Sequence, residues 1–416
     1  MKKFLIEIGK KSKNAFLNQV DTKKKNKILK NYYQLINKNK KNIINENVKD
    51  IKNANKKKLD DNLIQRLTLD DKKISIIVDS IKKIIKLKDP TNIILQKWKR
   101  PNGLSISKVT IPLGVIGVIY ESRPNVTSDV ACLCFKSGNS VILKGGSEAF
   151  HSNKILSNLF IRSLKKNKVN PNFVQFINKK ERNVVDFLLT GMNKFIDVII
   201  PRGGKNLVKK VQKLSKVPII GHLEGNCHSY IDKDANPEIA KKIIFNAKLR
   251  NTSICGATET ILFHKKIVNK LSNLILKDLE ENGCTIIGDN EIRKFYKGKT
   301  KKASYKDWSK EYLSSIVSVK TVKDLNDAIK HINKFGTMHT DCIITENKKS
   351  AQTFLNKVKS SIAMHNTSTQ FADGGEFGFG GEVGISTNTL PPRGPVGLDQ
   401  LVSYKYQVSS NGKVRK

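Results

Sequence analysis

The chain has 416 residues, of which 38% are hydrophobic, and its 77 lysines and arginines against 36 aspartates and glutamates give a formal net charge of +41. This length exceeds what one small core can hold, so we expect two domains. The basic residues are spread along the whole chain among asparagines and isoleucines, and aromatic residues make up only 7%. We therefore interpret them as solvated faces and predict no specific nucleic-acid surface; a basic nucleic-acid-binding protein is the alternative from another class.

Cysteine use and hydropathy favour a soluble, cytoplasmic chain. The six cysteines follow neither a disulfide framework nor a zinc spacing, so we expect free thiols in a reducing compartment and no metal. The first residues begin like a signal peptide, but Glu7, Lys10 and Lys11 interrupt the apolar stretch. No apolar run approaches the length that crosses a membrane, and we expect no membrane association.

In chain order, the pattern changes from helical to alternating. Residues 1–98 are rich in lysine and asparagine with helical apolar spacing, and are predicted to form a helical N-terminal part of the first domain. In residues 99–228, apolar strands at 115–120, 140–144 and 197–200 alternate with helices, which predicts a parallel sheet with right-handed crossovers. Such a sheet binds a nucleotide at the carboxyl ends of its strands, so we predict a dinucleotide-binding domain here.

A second alternating unit follows at 229–365. A glycine-rich segment at 366–400 is predicted to return to the first domain, and residues 401–416 are predicted to form a final strand and tail. The strand-like residues 104–109 and 401–408 suit pairing between subunits, from which we expect a homo-oligomer.

Two glycine pairs stand where predicted strands end and helices begin. They are Leu-Lys-Gly-Gly-Ser at 143–147 and Ile-Pro-Arg-Gly-Gly-Lys at 200–205, whereas Gly-x-Gly-x-x-Gly is absent. Glycine lets backbone N–H groups approach an anion, and the start of a helix adds a favourable dipole. Plain turn chemistry explains either pair alone, but two on successive units favour phosphate binding.

Cys255 stands in a polar turn between two predicted elements. An amphipathic helix is predicted over 238–248, and the apolar run at 261–263 has strand character. A thiol at such a junction is held by rigid elements and stays reachable, as a nucleophilic cysteine requires. A buried structural cysteine is the alternative reading of this residue.

Ordered motifs on both sides of Cys255 carry a family resemblance. They are Pro-Leu-Gly-Val-Ile-Gly-Val-Ile-Tyr-Glu-Ser-Arg-Pro-Asn at 112–125, Lys-Ser-Gly-Asn-Ser-Val-Ile-Leu-Lys-Gly-Gly-Ser-Glu-Ala at 136–149, Gly-Asn-Cys-His-Ser-Tyr-Ile-Asp at 225–232, Asp-Gly-Gly-Glu-Phe-Gly-Phe-Gly at 373–380 and Arg-Gly-Pro-Val-Gly at 393–397. Over about residues 95–408 the chain resembles the gamma-glutamyl phosphate reductases (glutamate-5-semialdehyde dehydrogenases) of the aldehyde dehydrogenase superfamily. The resemblance implies an α/β fold of two Rossmann-like parallel-sheet domains with a small strand-based oligomerisation element.

The resemblance also implies an activity. A member of this family reduces L-glutamate 5-phosphate to L-glutamate 5-semialdehyde and phosphate with NADPH, through a cysteine thioester. This is the second step of proline biosynthesis from glutamate, so a functional link to glutamate 5-kinase is expected. The remaining alternatives are an aldehyde dehydrogenase with another acyl substrate and an eroded copy with weak turnover.

Catalytic roles carry over to two positions, and two further residues are predicted on the substrate side. Cys255 matches the nucleophile, and residues 229–365 thereby become the catalytic domain. Asn125 resembles the oxyanion asparagine, whose amide would act with the Cys255 backbone N–H. Asn226 and His228 are predicted on the substrate side. Glu224 is given no catalytic role, since a thioester meant for reduction should be kept from activated water.

Cofactor roles carry over to four further positions. Lys144 resembles the lysine that binds the adenosine ribose or its 2′-phosphate, and Gly203 and Gly204 fall on the turn beside the pyrophosphate. Glu311 aligns with the glutamate that holds the nicotinamide ribose, and the alternative for Glu311 is a solvated charge at a helix end.

The chain departs from the family pattern near the nucleophile. Asn251 and Thr252 stand where the family has Arg-Pro, and Gln370 stands where it has arginine. Arginine binds carboxylates and phosphates through paired donors, which asparagine and glutamine lack. Arg250 offers a guanidinium one position away, and Lys248 and Arg250 are the basic residues nearest in sequence to the thiol that needs activation.

Overall fold

A computed structural model describes residues 1–179, 181 and 183–415. The chain divides into two units, Met1–Gly221 with Gly378–Gly384 and Val396–Lys416, and His222–Phe377 with Ile385–Pro395. The domain boundary predicted after residue 228 therefore falls inside a strand of the second unit, Cys227–Ile231. No helix among the described residues is both long and apolar enough to cross a bilayer.

The α-helices of the described residues are, in chain order, α1 Lys2–Leu17, α2 Thr22–Lys38, α3 Lys40–Lys56, α4 Asp61–Leu67, α5 Asp71–Lys86, α6 Pro124–Lys136, α7 Phe150–Lys166, α8 Asn183–Leu189, α9 Lys205–Leu214, α10 Pro237–Leu249, α11 Val268–Glu281, α12 Asn290–Phe295, α13 Leu325–Phe335 and α14 Lys348–Lys357. Short 3₁₀ turns cover Ser147–Ala149, Pro171–Phe173, Tyr305–Ser309, Thr369–Phe371 and Asp399–Leu401.

The strands of the same residues are β1 Ile94–Lys99, β2 Ser105–Pro112, β3 Val115–Tyr120, β4 Ser140–Gly145, β5 Val174–Phe176, β6 Val198–Arg202, β7 Cys227–Ile231, β8 Thr258–His264, β9 Thr285–Gly288, β10 Thr300–Lys302, β11 Ile316–Val322, β12 Thr340–Ile344, β13 Ile362–His365, β14 Ile385–Ser386, β15 Gly394–Pro395 and β16 Val402–Ser409.

The first unit contains a four-stranded parallel sheet in the order β5-β4-β3-β6. Every residue of β3 and β4 is buried, which explains their continuous apolar sequences, because a sheet covered by helices on both faces has no solvent side. The chain moves outward from β3 through β4 to β5 and then crosses to β6 on the other side of β3. The reversal puts a topological switch between β3 and β6, where this class of sheet binds its ligand.

The N-terminal helices complete the core of the first unit. On α2 the apolar positions Ile28, Leu29, Tyr32 and Ile36 are all fully buried, as their helical spacing predicts. The Tyr32 hydroxyl bonds Ser128 at 2.7 Å, so α2 is fixed to α6 by a buried polar contact as well as by apolar packing.

A three-stranded antiparallel sheet, β1-β2-β16, extends the first unit. Strand β16 pairs with β2 from Val402 opposite Pro112 to Ser409 opposite Ser105, so the segments 104–109 and 401–408 pair with each other within one chain. Tyr404, Tyr406 and Val408 on β16 are exposed.

The second unit is built on a seven-stranded parallel sheet in the order β10-β9-β11-β8-β7-β12-β13. The central strands β7, β8 and β12 are buried along their whole length. Neighbouring parallel strands begin at the same edge of a sheet, so the residues just before β8, β7 and β12 come together. Those residues include Cys255.

Candidate active site

Cys255 lies in the turn between α10 and β8, as the sequence predicts. Asn236 caps α10 by accepting hydrogen bonds from the amides of Glu238 and Ile239, and Pro237 occupies the first helical position. The helix ends at Leu249, and β8 begins at Thr258. The Cys255 side chain is half-buried, and its thiol is free.

Two histidines converge on this thiol. His222 precedes β7, the neighbour of β8, and His339 directly precedes β12, the strand on the far side of β7. One donor atom from each of His222, Cys255 and His339 lies within 4.8 Å of the other two. The two imidazole rings meet edge to face, with centroids 4.8 Å apart at 80°.

Hydrogen bonds fix the tautomer of His222. Its Nδ1 lies 2.8 Å from the carbonyl oxygen of Ile385, which can only accept, so Nδ1 carries the proton. In the neutral ring Nε2 is then the proton-accepting nitrogen. The Nδ1 of His339 bonds the Thr340 hydroxyl at 2.9 Å and lies 3.5 Å from the Cys227 thiol.

The histidines explain how the thiol is activated. Burial by itself raises the pKa of Cys255, because a thiolate is poorly solvated there, but the charges of His339 and His222 and their hydrogen bonds outweigh burial and hold that pKa well below its ordinary value. The cysteine is thus predisposed to be a thiolate, the reactive form of a cysteine nucleophile.

The basic residues close to Cys255 in sequence are directed elsewhere. Lys248 Nζ is bound to Glu259 Oε2 at 2.6 Å, with both side chains fully buried. Arg250 Nε donates to Gln370 Oε1 at 2.8 Å. Activation of the thiol therefore comes from histidines distant in sequence rather than from its cationic neighbours.

Gly225 packs directly against the backbone of Cys255. A Cβ at this position would lie 2.2 Å from the carbonyl oxygen of Cys255 and 2.7 Å from its Cβ, so only glycine fits. The Gly225 amide donates to Glu311 Oε1 at 2.8 Å, and the Cys227 thiol donates to the Cys255 carbonyl at 3.1 Å. Cys255 and Glu311, both predicted as site residues, therefore lie on either side of Gly225.

Glu311 is a half-buried carboxylate in contact with Gly225. Burial raises its pKa, the hydrogen bond from Gly225 lowers it, and the negative charge of Cys255 raises it further. A thiolate and a carboxylate close together disfavour each other, so the two histidines also have to offset Glu311.

Asn226 and His228 are buried on the same strand edge. Asn226 Nδ2 donates to the carbonyls of Trp308 and Phe335 at 2.8 and 3.0 Å. His228 Nδ1 and its backbone amide both lie within 2.9 Å of Asp341 Oδ1. These bonds tie the start of β7 to its neighbours.

The remaining predicted residues lie in the first unit. Asn125 is the second residue of α6 and is exposed, and its Nδ2 donates to Asp129 Oδ2 at 3.1 Å. Burial raises the pKa of Asp129 to about 6, although the hydrogen bonds from Asn125 and Ser80 lower it. Lys144 is buried at the carboxyl end of β4, where its Nζ donates to the Gly145 carbonyl at 2.9 Å, and burial lowers its pKa.

Gly203 and Gly204 form the turn from β6 to α9 at the topological switch. The Gly204 amide donates to Glu121 Oε2 at 2.8 Å, and a Cβ on Gly203 would lie 2.4 Å from that oxygen. Tyr120 pairs with Arg202, so Glu121, directly after β3, faces the same turn. The start of α9 thus presents a backbone N–H to a carboxylate oxygen, as it would to a phosphate oxygen.

His222, Cys255 and His339 also resemble a zinc-type donor set. A metal held through Sγ would occupy the sulfur that a cysteine nucleophile uses, so a metal site and a catalytic thiol are alternatives for this cluster.

Sequence reasoning assigned no role to His222 or His339. Nucleotide-binding sheets direct attention to the carboxyl ends of strands, whereas these residues precede β7 and β12 at the amino ends. The sequence signal for a site at this position was the pair of polar residues His222 and Glu224, which follow an apolar run and Gly221.

The sequence matches the aldehyde dehydrogenase family over residues 5–285 and 300–402. It is 48% identical over 353 residues to the gamma-glutamyl phosphate reductase of Bartonella quintana (85% of each chain) and 43% identical over 413 residues to that of Brucella suis (99% of this chain and 98% of the other). The crystal structure of the Thermotoga maritima gamma-glutamyl phosphate reductase superposes with a TM-score of 0.96 at 36% identity, over 99% of this chain and 100% of that one. The chain therefore belongs to the aldehyde dehydrogenase family and, within it, to the gamma-glutamyl phosphate reductases.

Proposed function

We propose that this chain reduces L-glutamate 5-phosphate to L-glutamate 5-semialdehyde, with release of phosphate, through a thioester on Cys255 and with NADPH as reductant. The names and identities of its relatives support the reaction, the second step of proline biosynthesis from glutamate. The observation that carries the mechanism is the position of the Cys255 thiol within 4.8 Å of ring nitrogens of His222 and His339.

The first step is acyl transfer. The Cys255 thiolate attacks the C5 carbonyl carbon, the carbon–sulfur bond forms, and the bond to the phosphate oxygen breaks, so that phosphate leaves and a thioester remains. The thiol proton resides on a histidine, for which His222 Nε2 is suited because the Ile385 carbonyl holds the proton of the other nitrogen. The carbonyl oxygen becomes negative, and the Cys255 backbone N–H and the Asn125 amide are our candidates for its stabilisation.

The first unit fits a dinucleotide. The close approach of Glu121 at Gly203 leaves no room for a side chain at the start of α9, and Lys144 adds a buried cation at the end of β4. We propose that Gly203 and Gly204 face the pyrophosphate, that Lys144 faces the adenosine ribose and its 2′-phosphate, and that Glu311 contacts the nicotinamide ribose. When bound, the reduced nicotinamide supplies the hydride that the thioester carbon accepts.

The enzyme residues complete the cycle after reduction. The thiohemiacetal collapses, the carbon–sulfur bond breaks and the aldehyde is released. The C=O bond re-forms as the sulfur leaves, and the proton held by the histidine pair returns to the Cys255 sulfur. We propose that Asn226 and His228 position the start of β7, because their polar atoms are bound to carbonyls and to Asp341.

The reverse reaction tests this proposal. Semialdehyde, phosphate and NADP should give the acyl phosphate and NADPH, followed by absorbance, in the wild type but not in Cys255→Ala. Cys284→Ser is the matched control, because Cys284 is a buried free cysteine outside the histidine pair and should be dispensable. A Cys255→Ala variant that keeps the wild-type rate would refute the thioester mechanism.

We also propose a cytoplasmic homo-oligomer, supplied with substrate by glutamate 5-kinase. The exposed apolar side chains of Tyr404, Tyr406 and Val408 on an edge strand support assembly through the β1-β2-β16 sheet. Light scattering of wild type and of Tyr406→Glu tests it, and a monomeric wild type would contradict it.

A further inference from the structure

A cavity of about 610 Å³ opens in the second unit beside the nucleophile turn. One wall is α10 with the residue that follows it, which contributes Lys242, Asn246 and Arg250 at four-residue intervals on one helix face. The opposite wall is the segment 366–376, which contributes Ser368, Gln370 and Glu376. A cavity of this size suits a small molecule.

The charges of the two walls suit a ligand that carries both signs. Lys242 and Arg250 place cations on the helix wall, and Glu376 places a carboxylate on the other. An α-amino acid has a carboxylate and an ammonium on one carbon, so it can satisfy both walls at once.

Gln370 holds the guanidinium of Arg250 in a fixed orientation. Arg250 Nε donates to Gln370 Oε1 at 2.8 Å, and Gln370 Nε2 donates to the Ala247 carbonyl at 2.9 Å, which fixes the amide. In the part of the chain that the structure describes, no protein acceptor is bound to the two terminal nitrogens of Arg250. These nitrogens form the fork that binds a carboxylate through two bonds.

The cavity adjoins the nucleophile through the backbone of 369–372. A Cβ on Gly256 would lie 3.2 Å from the Thr369 carbonyl oxygen and 3.7 Å from Gln370 Cα, and the Thr369 and Thr258 hydroxyls are 3.0 Å apart. The residue after Cys255 therefore packs directly against the cavity wall.

We propose that this cavity binds the amino-acid end of the substrate, with the α-carboxylate on Arg250 and the α-ammonium on Glu376. The assignment rests on the proposed function. It also gives Gln370 a role. Gln370 stands where the family pattern has an arginine; here Arg250 supplies the guanidinium, and Gln370 orients that guanidinium. Arg250 is thus a specificity residue and Gln370 a positioning residue.

Aldehydes that lack one or both charges test the proposal in the reverse reaction with phosphate and NADP. 5-Oxopentanoate keeps the carboxylate of glutamate semialdehyde and lacks the ammonium, whereas pentanal lacks both. The wild type should prefer 5-oxopentanoate over pentanal in kcat/KM, and Arg250→Met should reduce that preference by about 10- to 100-fold, as for the loss of a charge-assisted pair. Gln370→Leu should reduce it less.

A second comparison isolates Glu376. The preference for glutamate semialdehyde over 5-oxopentanoate measures recognition of the ammonium, and Glu376→Gln should reduce it without changing the preference for 5-oxopentanoate over pentanal. Arg293→Met, at an exposed arginine on α12 of the same unit, is the matched control and should change neither ratio.

The outcomes separate the two proposals. If the wild type does not convert semialdehyde with phosphate and NADP, the proposed function fails. If it does, but Arg250→Met keeps the wild-type preference for 5-oxopentanoate over pentanal, only the cavity assignment fails. Should Arg250→Met not fold, as judged by lost Cys255 alkylation and circular dichroism, Arg250→Gln decides by the same ratio.

Discussion

Lys248 Nζ lies 2.6 Å from Glu259 Oε2, and both side chains are fully buried. Lys248 is in the last turn of α10, and Glu259 is the second residue of β8. The second oxygen of Glu259 accepts from the Leu313 amide at 3.1 Å. The pair therefore joins the two ends of the turn that carries Cys255, and it keeps the lysine away from the sulfur.

We expect Lys248→Met to lower the free energy of unfolding by about 3–5 kcal/mol, because it leaves the Glu259 charge buried without its partner. Chemical denaturation measures the loss. Lys248→Met combined with Glu259→Gln should cost less than Lys248→Met alone, since no buried charge then remains. The pH at which Cys255 becomes alkylated should not move; if it rises in Lys248→Met, the lysine activates the thiol after all.

The second prediction concerns the pH dependence of the thiol. Because His339 and His222 hold the pKa of Cys255 down, replacing either by glutamine should raise that pKa. The curve of iodoacetamide alkylation rate against pH should move to higher pH, with about tenfold less thiolate at neutral pH for each unit of pKa.

Two control variants accompany the alkylation measurement. His365→Gln changes a histidine that bonds the Thr345 carbonyl at 2.9 Å instead of the thiol, and should leave the curve in place. Cys255→Ala identifies alkylation of other cysteines. An unchanged curve in both His222→Gln and His339→Gln would exclude the histidines as the activating groups.

Gly225→Ala tests the close packing of Gly225 against the backbone of Cys255. Its Cβ would lie 2.2 Å from the Cys255 carbonyl oxygen, so the cysteine has to move. Displacing a reacting atom by about 1 Å can cost about 100-fold in rate, and we expect a fall in kcat of that order. Gly381→Ala is the control, since its new Cβ meets nothing closer than Ser80 Oγ at 3.6 Å. A wild-type kcat in Gly225→Ala would show that the turn can shift to make room for the new Cβ without slowing the reaction.

The sequence predicted what depends on local pattern. Buried parallel strands are recognisable in the sequence as continuous apolar runs, as in β3 and β4. The glycines at 203 and 204 mark a strand-to-helix turn. The position of Cys255 between a helix and a strand followed from an amphipathic helical pattern that gives way to a short continuous apolar run.

The thiol's environment depended on strand order, which local pattern does not specify. His222, Cys255 and His339 meet because β8, β7 and β12 stand in a row in the sheet, although β12 is the fourth strand after β8 along the chain. The proximity of Lys248 to Cys255 in sequence did not reveal the partner of the lysine, because that partner is set by the burial of Glu259 opposite it.

The last prediction concerns cofactor choice. Lys144 is a buried cation at the end of β4, and if it faces the 2′-phosphate, Lys144→Met should raise the KM for NADP by about tenfold or more while changing the KM for NAD little. Initial rates with both cofactors measure the ratio. Lys154→Met, at an exposed lysine on α7, controls for the loss of one positive charge from the unit. An equal rise in both KM values would mean that Lys144 supports the turn through its bond to the Gly145 carbonyl and does not select the phosphate.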